Sequence, residues 1–171
     1  MPFGINAFGC VAITESSGLV VGGAYFPDDN VTSDVFLFTR ESQTLARIGR
    51  MEQPTRGKEC AKAKLSTGKS VVLCTLGIIE GLWEETGETY VYDISARKFE
   101  RMAEWDFPND LIGLEATRAH VIGEDMLLQT ADGTFLFRDD ETSPDTSSHW
   151  FKVGDWAAGF SAPFNLRFVI P

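Results

Sequence analysis

The chain predicts an all-β fold, and three observations carry that prediction. Its apolar residues fall into short runs rich in β-branched and aromatic side chains, separated by clusters of Gly, Ser, Thr, Asp and Asn that favour turns. Four such runs make a unit, and the unit returns twice. Equivalent positions in the three units are separated by nearly constant steps.

The first unit opens with a hairpin, Cys10 to Thr14 and Leu19 to Val21, joined by Glu15-Ser16-Ser17-Gly18. A polar excursion containing Pro27, Asp28, Asp29 and Asn30 leads to an alternating strand, Asp34 to Thr39. After a turn at Arg40 to Gln43, Leu45 and Ile48 mark the fourth strand. The second unit places strands at Lys58 to Ser66, Ser70 to Leu76, Thr89 to Ile94 and Phe99 to Met102, with Thr67-Gly68 as the first turn and Gly77 to Glu88 as a long loop. The third has Leu114 to Val121, Met126 to Thr130, Thr134 to Arg138 and His149 to Val153. A last apolar segment, Gly159 to Ile170, reads as a further first strand.

Leu45, Phe99 and Trp150 are separated by steps of 54 and 51, as are Ile48, Met102 and Val153, and Met51, Trp105 and Trp156. Pro54 and Pro108 repeat the step of 54. Four-stranded repeats of about 50 residues, the first closing on Gly22-Gly23, resemble the Kelch repeat, one blade of a β-propeller. The resemblance implies a Kelch-like partial β-propeller of about three four-stranded antiparallel blades plus a C-terminal strand. It is a single domain, 1–171, with repeats near 8–56, 57–110 and 111–158 and a partial fourth at 159–171. The glycine pair aligns in this reading with Cys74-Thr75 and Gln129-Thr130, so two repeats lack it, and the fourth-strand aromatic is Trp150, Phe99 and only Leu45.

Closed propellers take about four to eight blades, and three leave apolar flanks to be covered. Three arrangements satisfy that need: two chains forming a ring of about six blades, a portion of a longer propeller, or an open arrangement of three sheets.

Among 171 residues, 43% are hydrophobic and 12% aromatic, which excludes a disordered acidic chain. A net charge of -10 disfavours nucleic acid and anionic membranes and suits a basic or neutral protein partner. No apolar run approaches the ~20 residues of a membrane span. The first positive charge is Arg40, so the N-terminal stretch does not read as a signal peptide, and a cytoplasmic location is expected. Cys10, Cys60 and Cys74 lack CxxC spacing and read as reduced thiols, with Cys10 and Cys74 buried as small hydrophobes.

Catalytic signatures are poor. His120 and His149 are the only histidines, with no HExxH and no zinc-spaced Cys/His cluster, so no metal or other cofactor is expected. No Gly-x-Ser-x-Gly elbow occurs. Gly68-Lys69-Ser70 imitates the end of a phosphate loop, but Ala63 stands where the first glycine belongs and a hairpin surrounds it. The acidic groups at Asp28-Asp29-Asn30 and at Asp139-Asp140-Glu141 lack the glycine a calcium loop needs, and read as solvated loops.

The family resemblance implies that loops joining second to third strands, and one blade to the next, share a face that grips partner peptides. Those loops are 24–33, 49–57, 77–88, 104–112 and 154–159. Aromatic and aliphatic residues beside an arginine favour interface hot spots, which selects Tyr25, Phe26, Arg56, Ile78, Ile79, Trp83 and Phe107 as partner contacts. Met51, Trp105 and Trp156 share the repeat period and are expected between blades. The expected function is a non-catalytic protein–protein interaction module, with a protein partner or a second copy of itself. The alternatives are an enzyme on a propeller scaffold, copper-radical-oxidase-like or hydrolase-like with His120 and Tyr92 as its nucleus, or a propeller fragment without independent function.

Overall fold

The computed structural model describes residues 4–26, 28–82, 84–112, 118–122, 125–130, 132–139 and 149–155. Within them the chain is predominantly antiparallel β-sheet. In order, the strands are β1 (Gly4–Asn6), β2 (Gly9–Thr14), β3 (Ser17–Val21), β4 (Ala24–Phe26), β5 (Asn30–Val31), β6 (Asp34–Thr39), β7 (Thr44–Arg50), β8 (Thr55–Arg56) and β9 (Glu59–Lys64). They continue as β10 (Ser70–Thr75), β11 (Ile78–Ile79), β12 (Tyr90–Asp93), β13 (Lys98–Arg101), β14 (Arg118–Ile122), β15 (Asp125–Thr130), β16 (Gly133–Phe137) and β17 (Trp150–Gly154). Two short 3-10 turns, Ala103–Trp105 and Asn109–Leu111, lie between β13 and β14. The expected strand at 159–170 and Trp156 lie outside the described residues.

Three four-stranded sheets dominate, with orders β2-β3-β6-β7, β9-β10-β12-β13 and β14-β15-β16-β17. Each runs in chain order, with turn chemistry setting its tight hairpins, while the β3–β6 and β10–β12 pairings span longer excursions that carry β4, β5 and β11. The tight β2–β3 connection, for instance, is stitched by the Thr14 and Ser17 hydroxyls at 2.7 Å. A three-stranded sheet, β1-β4-β5, and a two-stranded ribbon, β8-β11, complete the set.

The large sheets stack, and their strand sequences record their places in the stack. In β2 burial alternates, with Gly9 and Ile13 inward and Cys10, Ala12 and Thr14 outward, as a sheet with one covered face requires. In β10, Val71, Val72, Leu73 and Cys74 are all buried, because the second sheet is covered on both sides. One core cluster joins Ile13, Leu19, Val21 and Val35 of the first sheet to Val72, Cys74, Tyr90 and Tyr92 of the second, with Met51 between them. The other joins Ala61, Ala63, Val71, Leu73 and Val91 to Met126, Leu128, Phe135, Phe137 and Trp150 of the third. Trp105 packs against this second cluster and meets Phe137 edge to face at 5.2 Å.

Two expectations need correction. Cys60 and Cys74 face each other across β9 and β10 and form a disulfide, so they are not free thiols, and Cys10, expected to be buried, is exposed on β2. The argument from reduced thiols to a cytoplasmic location therefore falls away, since disulfides persist in oxidising surroundings. Among the described residues no helix is long and apolar enough to cross a membrane.

The glycine pair also aligns differently. The registers Phe38↔Leu45, Tyr92↔Phe99 and Phe137↔Trp150 make these pairs equivalent, which places Gly22-Gly23 opposite Leu76-Gly77 and not Cys74-Thr75. Gly22 and Leu76 have φ of 62° and 59°, and Gly23 and Gly77 of 94° and 124°, so the second unit keeps the same left-handed turn with one glycine. The turn lets the connector between sheets pass close by: a Cβ on Gly22 would lie 2.2 Å from the Thr55 carbonyl oxygen. Gly23 N–H donates to that same oxygen at 3.0 Å.

Candidate functional site: the loop end of the stack

Antiparallel meanders send alternate connections to opposite ends, and the longer ones meet at one end. There the backbone of 51–57 is tied to both neighbouring loops. Met51 N–H donates to Ser33 O at 2.8 Å, Glu80 N–H to Pro54 O at 3.1 Å, and β8 pairs with β11 through Arg56↔Ile78 and Thr55↔Ile79. The segment 103–112 is tied in turn to 86–89. Phe107 N–H donates to Gly87 O, Gly87 N–H to Asn109 Oδ1 and Thr89 N–H to Asp106 Oδ1, all at 2.8–2.9 Å. These hydrogen bonds join the connectors 51–57 and 103–112 to the loops beside them as one platform.

The expected contact residues divide on this platform. Arg56 sits between Asp29 at 3.5 Å and Glu80 at 3.0 Å, bridging the β4–β5 turn and the end of β11. Ile78 and Ile79 are half-buried beside it, and Tyr25 is half-buried on β4, opposite Ile5 and Asn30. Phe26 has its backbone on β4 opposite Gly4, its side chain lying outside the described residues, as does Trp83 altogether. Phe107 must be corrected. It is 1% exposed and meets Phe135 and Trp150 edge to face at 5.0 and 5.4 Å, so it is a core residue between the second and third sheets, unavailable to a partner.

A group of ionisable side chains that sequence reasoning missed lies beneath the platform. Lys58, just before β9, is 3% exposed, and its Nζ donates to the Glu88 carbonyl oxygen at 2.9 Å and stands 5.2 Å from the centre of the Tyr90 ring. Burial pulls its ammonium down to about 7 against the attraction of Glu88. Tyr90 OH donates to Glu88 Oε2 at 3.1 Å and accepts from Glu52 N–H at 2.9 Å, while burial raises its pKa. The Arg101 guanidinium stands 5.4 Å from the same ring and forms a two-pronged ion pair with Asp106, both contacts at 2.5 Å. Nothing local in the sequence marks Lys58. Its partners arrive from 30 to 48 residues downstream.

Above this group lies an open cleft of about 660 Å³, lined by Ile79, Glu84, Glu85, Thr86, Glu88 and Arg101 and closed on the far side by residues 103–109. Glu104 and Asp106 bring its carboxylates to five. Burial raises the pKa of Glu85. A second cleft, about 510 Å³, lies at the opposite end around the β9–β10 turn, where Ser66 N–H and Oγ both donate to the Asp139 carboxylate and Arg138 pairs with Asp125. The phosphate-loop mimic falls at that turn. Its Lys69 is paired with Asp93 at 2.5 Å.

Among the described residues no group of three or more His, Cys, Asp or Glu side chains is placed to hold a metal ion. No known protein family matches the chain, and no curated protein sequence matches it.

Proposed function

We propose that this chain is a non-catalytic protein-interaction module, a Kelch-like partial propeller of three blades whose loop end grips a basic segment of a partner protein. The observation that carries the reading is the acidic cleft on the tied loop platform. A surface already tied by hydrogen bonds loses less conformational entropy on binding, and with Asp106 neutralised by Arg101, the remaining Glu84, Glu85, Glu88 and Glu104 around one opening favour a positively charged ligand. Ile79 on its wall and the neighbouring Ile78 supply apolar contact area beside the charge. Lys58 does not argue for an enzyme, because its amine is enclosed and already donates to the Glu88 carbonyl. The sequential four-stranded meanders and the shared register of their aromatic pairs support the Kelch-like architecture.

The test is fluorescence anisotropy with lysine- and arginine-rich peptides against acidic peptides of equal length. Binding of the basic peptides is expected to weaken with added salt and with Glu84→Lys or Glu104→Lys. Equal affinity for both peptide classes, or basic binding untouched by either substitution, would refute the reading.

A further inference from the structure

The three large sheets repeat one another residue by residue, and the repeat exposes what the first sheet lacks. Val20, Phe36, Phe38 and Leu45 correspond, 54 residues on, to Cys74, Tyr90, Tyr92 and Phe99. By the same registers they correspond to Leu128, Phe135, Phe137 and Trp150 in the third sheet. In the second and third sheets this face is pressed against the sheet before it: Cys74, Tyr90, Tyr92, Leu128, Phe135, Phe137 and Trp150 are at most 5% exposed. The first sheet has no predecessor among the described residues. Phe38 is 37% exposed there, Cys10 is exposed on the same face, and Val20, Phe36 and Leu45 are only half-buried.

The opposite faces follow the same rule. Leu19 and Leu37 of the first sheet, and Leu73 and Val91 of the second, lie on the face that covers the next sheet. Their equivalents in the third sheet are Leu127 and Leu136, which stand in one cross-strand row with Phe151 and are half-buried. One end of the stack thus has the face that always receives a sheet, and the other has the face that always covers one. A receiving face built to the chain's own repeat is matched best by the covering face of the same repeat, and that face is carried by every copy.

We propose that a second copy of this chain seats the Leu127, Leu136 and Phe151 face of its third sheet on the Val20, Phe36 and Phe38 face of the first sheet, and that the reciprocal contact closes a ring of six sheets. The inference rests on the propeller reading above. Each contact joins two different surfaces, so repetition must either close or grow into a filament, and two copies of three sheets reach a size at which propellers close.

Sedimentation equilibrium of the whole chain tests it, with Phe38→Asp on the receiving face and Phe151→Asp on the covering face. The wild type should have twice the chain mass and each variant the mass of one chain, with far-UV circular dichroism unchanged. An equimolar mixture of the two variants should recover a 1:1 pair, because one of the two contacts is then intact. Phe38→Ser repeats the experiment without a charge, should the aspartate disturb the sheet. A monomeric wild type overturns the ring. So does a dimer broken by Phe38→Asp alone, which would mean that two first sheets pair, and so does a mass that grows with concentration. Basic-peptide binding measured on the same samples separates the two proposals: a monomer that still binds the peptides sinks the ring and leaves the interaction module standing.

Discussion

Lys58 links the loop end to the pH dependence of the whole fold. Its ammonium titrates near 10.5 when solvated and near 7 in the fold, where burial disfavours the charge. Between those values the unfolded chain holds a proton that the folded chain has released, so folding must expel it and stability rises with pH; below about 7 both states are protonated and the penalty is constant. Converting the fractions bound at each pH with 1.36 kcal/mol per pKa unit, the lysine makes the fold about 2 kcal/mol less stable at pH 7 than at pH 9. Lys58→Met keeps the length of the side chain and removes the titration. Urea unfolding of wild type and variant at both values is the assay, with other titrating groups cancelling in the difference. The wild type should gain about 2 kcal/mol more than the variant on going from pH 7 to pH 9. Parallel gains would refute the burial argument, whatever the absolute stability lost with the Glu88 hydrogen bond.

Two further substitutions bear on the backbone and the cross-link. Gly22→Ala and Gly68→Ala both place alanine at positive φ, 62° and 82°, but only the Gly22 Cβ would collide with a carbonyl oxygen, since nothing lies within 4 Å of the other. Thermal melts should therefore show a cost of about 1 kcal/mol at Gly68 and at least twice that at Gly22, and equal costs would mean that the Thr55 approach carries no constraint. The Cys60 to Cys74 disulfide closes a span of 14 residues, for which chain entropy gives about 3 kcal/mol. Reduction should lower the urea midpoint accordingly, and thiol titration of the unreduced, unfolded chain should find Cys10 alone; three reactive thiols would contradict the cross-link.

The strands of the large sheets were legible because they follow one another in chain order and each carries its own alternation and flanking turn residues. Asp34–Thr39 is the same segment in the sequence and in the structure. The β8-β11 ribbon was not legible, since two-residue strands carry no periodicity. The disulfide had a signal that went unused: Cys60 and Cys74 are equidistant from Thr67, in the turn the sequence marks, so antiparallel pairing brings them together. Phe107 reads as a loop aromatic because its burial comes from Phe135 and Trp150, which no local pattern reveals. Lys58 was missed for the same reason. Of the expected contact residues, the β8-β11 pairing places Arg56, Ile78 and Ile79 side by side.

The confinement of each large sheet to one continuous stretch of chain has an evolutionary consequence. No strand of a four-stranded sheet is lent to another, so adding or losing a whole unit leaves the other four-stranded ladders unbroken and costs only the small β8-β11 ribbon that lies across the connector 51–58. Such an event leaves the surviving sheets intact and alters only which faces meet. A gene encoding this architecture can therefore change length in steps of one sheet, with selection acting on the two terminal faces rather than on the folding of the units between them.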